Sequence, residues 1–241
     1  MRAVFEELKT KLKVQGGKRM KRLIVLVCLL LLIVPAFLFS QDLGPWKAAY
    51  GDWRMMGGRL VQMSTKAGMA QAYMPIRQSG VVQYEFDVRY LDGAMDGYAG
   101  FGVHVGIDRP HPRKSWGNGK SFLLWLTYDP KNYGGSGVYA QAYKSVNAST
   151  MSMIHPAKAY MVPSSRLQGI YLSRLSQYVL PVKIRVNYDT GWVKVWDPII
   201  PNYFYRFWLG ESVRNGAYIS VRTNSLAVSF GNFRVSKPAS F

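Results

Sequence analysis

The sequence predicts an all-β fold, an antiparallel β-sandwich, carried behind an N-terminal hydrophobic export segment. Three observations predict it. Apolar residues alternate with period two along most of the chain after Trp46. Gly, Asp, Asn and Pro break that alternation at short intervals, as turns between strands do. One uncharged apolar run, Leu23 to Phe39, stands apart near the N-terminus.

That run follows Lys18-Arg19-Met20-Lys21-Arg22 and precedes Ser40-Gln41-Asp42. A basic stretch, an apolar stretch and a small residue at its end are the features of a secretory signal. Ser40 is the expected cleavage point, and Met20 offers a start that gives a signal of ordinary length. The alternative is an uncleaved anchor: about 17 residues is at the lower edge of what spans a bilayer. The preceding basic residues would then hold the N-terminus in the cytoplasm. Either way, residues 1–40 read as the targeting segment and residues 46–236 as one exported body, periplasmic or extracellular. Membrane contact is expected only through residues 23–39. Cys28, the single cysteine, lies inside the run, so the body has no thiol; disulfides, thiolate catalysis and cysteine–zinc sites are excluded there.

Net charge is +18, and the eight basic and two acidic residues before Leu23 account for six of it. A body this basic favours acidic partners such as anionic glycans, lipid headgroups or nucleic acid. Of these, nucleic acid is not expected, because Lys and Arg are scattered rather than arrayed in a stripe. With 49% hydrophobic and 14% aromatic residues, the body has ample material for a core.

Val82 to Tyr90 is the clearest strand. Val82, Tyr84, Phe86, Val88 and Tyr90 share one face, and Gln83, Glu85, Asp87 and Arg89 the other. Val182 to Tyr188 repeats the pattern, Asp189-Thr190-Gly191 supplies a turn, and Trp192 to Trp196 returns as the second arm of a hairpin. Further strands are expected at 59–64, 71–76, 98–106, 121–128, 137–144, 217–223 and 227–235. Arg166 to Tyr178 has apolar residues at helical intervals, and Asp108–Gly119 and Lys131–Ser136 read as exposed loops.

Three stretches resemble the concanavalin A-like lectin/glucanase superfamily, with its laminin-G-type and 3-keto-disaccharide hydrolase-like domains. Gly51-Asp52-Trp53 followed by Gly58-Arg59-Leu60-Val61 resembles an opening strand of that group. Tyr84 to Arg89 followed by Tyr98 to Val103 resembles the paired strands after it. Pro181 to Trp196, with Gly216 to Val221 and Ala227 to Val235, resembles the closing strands. The resemblance implies a jelly-roll sandwich over most of Trp46 to Val235 and, as one option, a hydrolase acting on glycosides. Glucanases of the group carry E-x-D-x-x-E or E-x-D-x-E on one strand. Here Glu85-Phe86-Asp87 supplies the first two carboxylates, but Arg89 and Tyr90 stand where the second glutamate would fall. A retaining glycosidase needs two carboxyls about 5 Å apart, so that mechanism is not expected.

Candidate site residues fall into two groups. If the 98–106 strand pairs with Val82–Tyr90, His104 stands beside Glu85 or Asp87 as an acid/base group; otherwise Glu85, Asp87 and Arg89 form a solvated face with a local ion pair. His111 and His155 neighbour proline in loops and suggest no metal site. The ligand-binding candidates are aromatic: Trp125, Tyr139, Tyr143, Trp192 and Trp196, with Arg89 and Lys194 supplying charge. Planar rings beside polar groups stack on sugar faces. No cofactor motif is present. Three readings follow: a binding module for carbohydrate or an acidic envelope component, a glycoside hydrolase using His104, Glu85 and Asp87, or a structural component docking on acidic subunits of an envelope or surface-appendage assembly.

Overall fold

Alternation of apolar and polar residues buries one side of a strand and wets the other, and two such sheets cover each other's apolar sides. A computed structural model shows that arrangement; it describes residues 44–93, 99–129, 137–155, 179–197, 202–213 and 216–241. The apolar run Leu23–Phe39, the stretch Arg166–Tyr178 and the loop Lys131–Ser136 lie outside the described residues. The chain divides after Asp42 into two compact units, and the described residues all belong to the second.

Fourteen strands follow one another among the described residues. They are β1 (Lys47–Tyr50), β2 (Trp53–Met56), β3 (Arg59–Gln62), β4 (Ala70–Pro75), β5 (Val81–Gly93), β6 (Gly100–Ile107) and β7 (Ser121–Asp129). Then come β8 (Gly137–Ser145), β9 (Met151–His155), β10 (Leu180–Asn187), β11 (Trp192–Trp196), β12 (Phe204–Trp208), β13 (Tyr218–Asn224) and β14 (Leu226–Ser236). They form two seven-stranded antiparallel sheets, ordered β1-β4-β13-β6-β7-β8-β9 and β12-β11-β10-β5-β14-β3-β2.

The inward face of β5 is the one the alternation predicts: Val82, Tyr84, Phe86 and Val88 are buried. They meet Phe101, Val103 and Val105 of β6 in the opposite sheet, within one continuous core. Phe230 of β14 joins the sheets, its ring centroid 6.1 Å from Phe86 and 6.4 Å from Phe101. The β10–β11 hairpin forms as expected. Gly191 closes its turn at φ +73°, where an added Cβ would lie 1.8 Å from the Glu211 carbonyl oxygen.

One expected pairing does not form. β6 lies between β13 and β7, and β5 lies between β10 and β14 in the other sheet. Alternation fixes which face of a strand is buried but not its neighbour. Two inward-facing strands can pack across the core as well as side by side.

Candidate functional site

On the outer side of β10–β12, alternation buries Val193 completely and leaves Trp192, Lys194 and Trp196 half-buried on the surface. Register sets Trp192 opposite Trp208, Lys194 opposite Arg206 and Trp196 opposite Phe204, with Arg185 on the other flank of Lys194. Cations and rings therefore interleave. Arg206 stands 4.4 Å from the Trp192 ring centroid, Lys183 4.6 Å and Arg185 5.2 Å from Trp196, and Lys194 4.9 Å from Phe204. The C-terminal Phe241 ring lies 4.8 Å from Lys194 and 5.7 Å from Arg206.

The face has little to neutralise it. Glu85 approaches Lys183 at 3.7 Å, and Arg185 donates to the Gln83 amide oxygen through Nε at 2.9 Å. Lys194 and Arg206 form no ion pair among the described residues. Burial lowers the Lys194 pKa below its ordinary value, and the neighbouring Arg185 and Arg206 lower it further. Each ring contact stabilises a cation by about 0.5–1 kcal/mol at an exposed site. Two like charges ~5 Å apart in water repel by a similar ~0.8 kcal/mol. The rings thus hold the cations in place without discharging the face. Trp208 is 47% exposed and Phe204 40%, so aromatic surface is open beside the charges.

The outer side of the other sheet carries Trp125 and Tyr143. Trp125 lies across Gly100 and Gly102; an added Cβ on Gly100 would stand 2.7 Å from the indole, and one on Gly102 2.8 Å. Tyr143 donates to Gln141 at 2.7 Å and meets Trp116 edge-on at 6.3 Å. The Tyr139 side chain lies outside the described residues. Trp125 and Tyr143 thus face away from Trp192 and Trp196 across the sandwich, and the two groups do not share one groove. Arg89 is exposed on the β10–β12 side but sits six residues along β5 from Gln83, roughly 20 Å at about 3.3 Å per residue. It does not join Lys194.

The expected acid/base group is not assembled. His104 is fully buried, opposite Ser220 and Leu123, whereas Glu85 and Asp87 lie on the outer side of the other sheet. Asp87 pairs with Arg59 at 2.5 Å and accepts from Asn232 at 2.5 Å. The ion pairs on this face join Glu85 to Lys183 and Asp87 to Arg59, cations of other strands, and among the described residues neither carboxylate pairs with Arg89. Burial, and then the positive charge of Arg222, hold the His104 pKa well below the ordinary value for histidine. Among the described residues, no group of three or more His, Cys, Asp or Glu side chains gathers to hold a metal ion.

Sequence reasoning missed Phe204, Arg206 and Trp208, although Phe204-Tyr205-Arg206-Phe207-Trp208 carried the signal: aromatic residues around one cation. It also missed Lys183 and Arg185, whose alternation with Val182, Ile184 and Val186 placed them outward. Nothing in the sequence pointed to Phe241.

No protein-family model and no curated protein matches the chain. Solved structures match it in fold. The carbohydrate binding module CBM66 from Bacillus subtilis aligns at 12% identity with a TM-score of 0.51, over 83% of this chain and 99% of its own. A legume lectin-like domain from Entamoeba histolytica aligns at 7% identity and 0.51, over 81% and 91%. The VIP36 exoplasmic/lumenal domain, in its Ca2+/Man-bound form, aligns at 12% identity and 0.50, over 83% and 85%. At such identities the likeness concerns the fold: this chain is a lectin-like β-sandwich.

Proposed function

We propose that this chain is an exported carbohydrate-binding module that takes acidic carbohydrate on the outer side of β10–β12. One observation carries the reading. Lys183, Arg185, Lys194 and Arg206 are interleaved with four aromatic rings at 4.4–5.7 Å, and the Glu85 carboxylate reaches only Lys183 of these cations. An anionic polymer laid on this face removes the repulsion among the cations, while the exposed edges of Trp208 and Phe204 offer stacking surface to sugar rings. Export is part of the proposal and rests on the apolar run Leu23–Phe39 with its basic flank. The fold likeness to a carbohydrate binding module and to lectin-like domains supports the ligand class.

The test is affinity electrophoresis of the protein in gels holding dextran, dextran sulfate or polyphosphate. Retardation by dextran sulfate, at least tenfold weaker in the Trp192→Ala/Trp196→Ala variant, is expected; dextran should retard little. Equal retardation by polyphosphate, or no change in the double variant, would overturn the reading.

A further inference from the structure

The second outer face holds an arrangement that the basic face does not explain. Register places Gln71, Arg222, Gly102, Trp125 and Gln141 in one row across β4, β13, β6, β7 and β8. The next row sets Ser220 directly opposite His104. Arg222 is 1% exposed, Gln71 1%, His104 0% and Ser220 0%. Yet both amide atoms of Gln71, both ring nitrogens of His104, Oγ of Ser220 and Nη1 of Arg222 have no hydrogen-bond partner. Buried polar groups are ordinarily satisfied, and a concentration of exceptions on one patch needs an explanation.

The arginine sharpens the question. Among the described residues Arg222 forms no ion pair; its Nη2 donates to the Ser115 carbonyl and lies 3.1 Å from the Met69 sulfur. Burial alone lowers its pKa to about 10. A buried cation without a counter-ion is disfavoured unless something negative joins it.

We propose that this patch is a second binding site, taking one hexuronic acid ring with its carboxylate on Arg222 and its ring against Trp125. The donors match a carboxylate: Nη1 of Arg222, the amide of Gln71 opposite it and the hydroxyl of Ser220 two residues along the same strand. With His104 neutral, the site holds one positive charge, which balances a monoanionic carboxylate and leaves a phosphate dianion half-neutralised. The acceptors left over, Oε1 of Gln71 and one His104 nitrogen, suit sugar hydroxyls. Trp125 stands two strands from Arg222, roughly 10 Å at about 4.8 Å per strand, and its indole lies over Gly102 between them. A sugar ring resting on the outer face of that indole would direct its carboxylate toward the guanidinium.

The loop between β6 and β7 lies over Arg222. Lys114 reaches the Tyr50 ring at 5.5 Å, Ser115 sits on Arg222, and Trp116 donates to the Met151 carbonyl at 2.9 Å. Entry of a ring requires the Ser115 segment to lift, exchanging a neutral carbonyl for a carboxylate on the guanidinium.

This site uses a different sheet, different residues and a single ring, so its fate is separable from that of the basic face. Calorimetric titration of the protein with glucuronate, galacturonate, glucose and acetate tests it. Expected is saturable binding of at least one uronate, at least tenfold weaker for glucose and acetate. Arg222→Met should weaken it at least tenfold, and Trp192→Ala/Trp196→Ala should leave it unchanged. A second reading needs no variant: the uronate should displace the His104 imidazole signals in the NMR spectrum. No saturable uronate binding, equal binding of acetate or glucose, or unmoved His104 signals would overturn the proposal.

Discussion

Gln78 shows how one buried side chain can tie both sheets to a loop. Its amide oxygen accepts from the Tyr84 hydroxyl at 2.9 Å, from the Gly106 N–H at 3.0 Å and from the Tyr188 hydroxyl. Its amide nitrogen donates to the Tyr218 carbonyl at 2.6 Å. Tyr84 and Tyr188 lie 2.7 Å apart, and both are buried. Burial raises both hydroxyl pKa values above the ordinary tyrosine value of 10, since a phenolate there would lose water without gaining a cation. The folded state therefore keeps these protons to higher pH than the unfolded chain does. The stability they contribute is complete below pH 10 and is lost as pH rises further, at about 1.4 kcal/mol per pH unit for each tyrosine. Urea midpoints measured from pH 8 to pH 12 should fall steeply above pH 10. In Tyr84→Phe/Tyr188→Phe the fall should be shallower, from a neutral-pH stability lower by about 1–3 kcal/mol per lost partner. Tyr90 and Tyr205 are also raised, so the difference between the two proteins is the quantity to read. Parallel curves would rule out these hydroxyls as the cause.

At the scale of the strand, β6 depends on what it lacks. Gly102 brings its backbone against β7: an added Cβ would stand 2.3 Å from the Leu124 carbonyl oxygen and 2.8 Å from Trp125. Gly102→Ala should destabilise by about 1–3 kcal/mol in denaturant unfolding, as overpacking does, and should perturb Trp125 fluorescence. Wild-type stability with an unchanged spectrum would show that the indole does not rest there. The same strand shows what the sequence could and could not tell. Phe101, Val103 and Val105 are inward, because an alternating strand leaves one apolar face to bury. β5, β10 and β11 were legible for the same reason. β12 was not, because Phe204-Tyr205-Arg206-Phe207-Trp208 is aromatic on both faces and has no period. The partner of β6 was not legible either, since pairing across a sandwich is settled by long-range closure and not by local pattern. On the basic face, Trp192, Trp196 and Lys194 could be read from one hairpin, whereas Arg206 and Trp208 reach them only through pairing with a third strand. The burial of Arg222 depends on a loop that begins more than a hundred residues earlier in the chain.

For the molecule as a whole, the question is whether its net charge of +18 or the ordered strip on β10–β12 governs binding. The two have different salt dependences. A cation that neutralises a fixed charge on a linear polyanion releases a condensed counter-ion, and log K falls with log salt by about 0.9 for each such contact on a dense polymer. If binding is confined to Lys183, Arg185, Lys194 and Arg206, the slope on dextran sulfate should be about −3 to −4. Removing one contact, as in Arg206→Ala, should make it shallower by about one. If instead the charge of the whole body engages the polymer, the slope is much steeper and the loss of Arg206 is hidden among many equivalents. Binding constants at several salt concentrations for the wild type, Arg206→Ala and an Arg109→Ala control decide between them. Arg109 is exposed in the β6–β7 loop and does not belong to the strip, so its loss should leave the slope unchanged. Equal slopes for all three proteins would mean that the strip is only part of a diffuse positive surface, and the proposed basic-aromatic site would fall with that result.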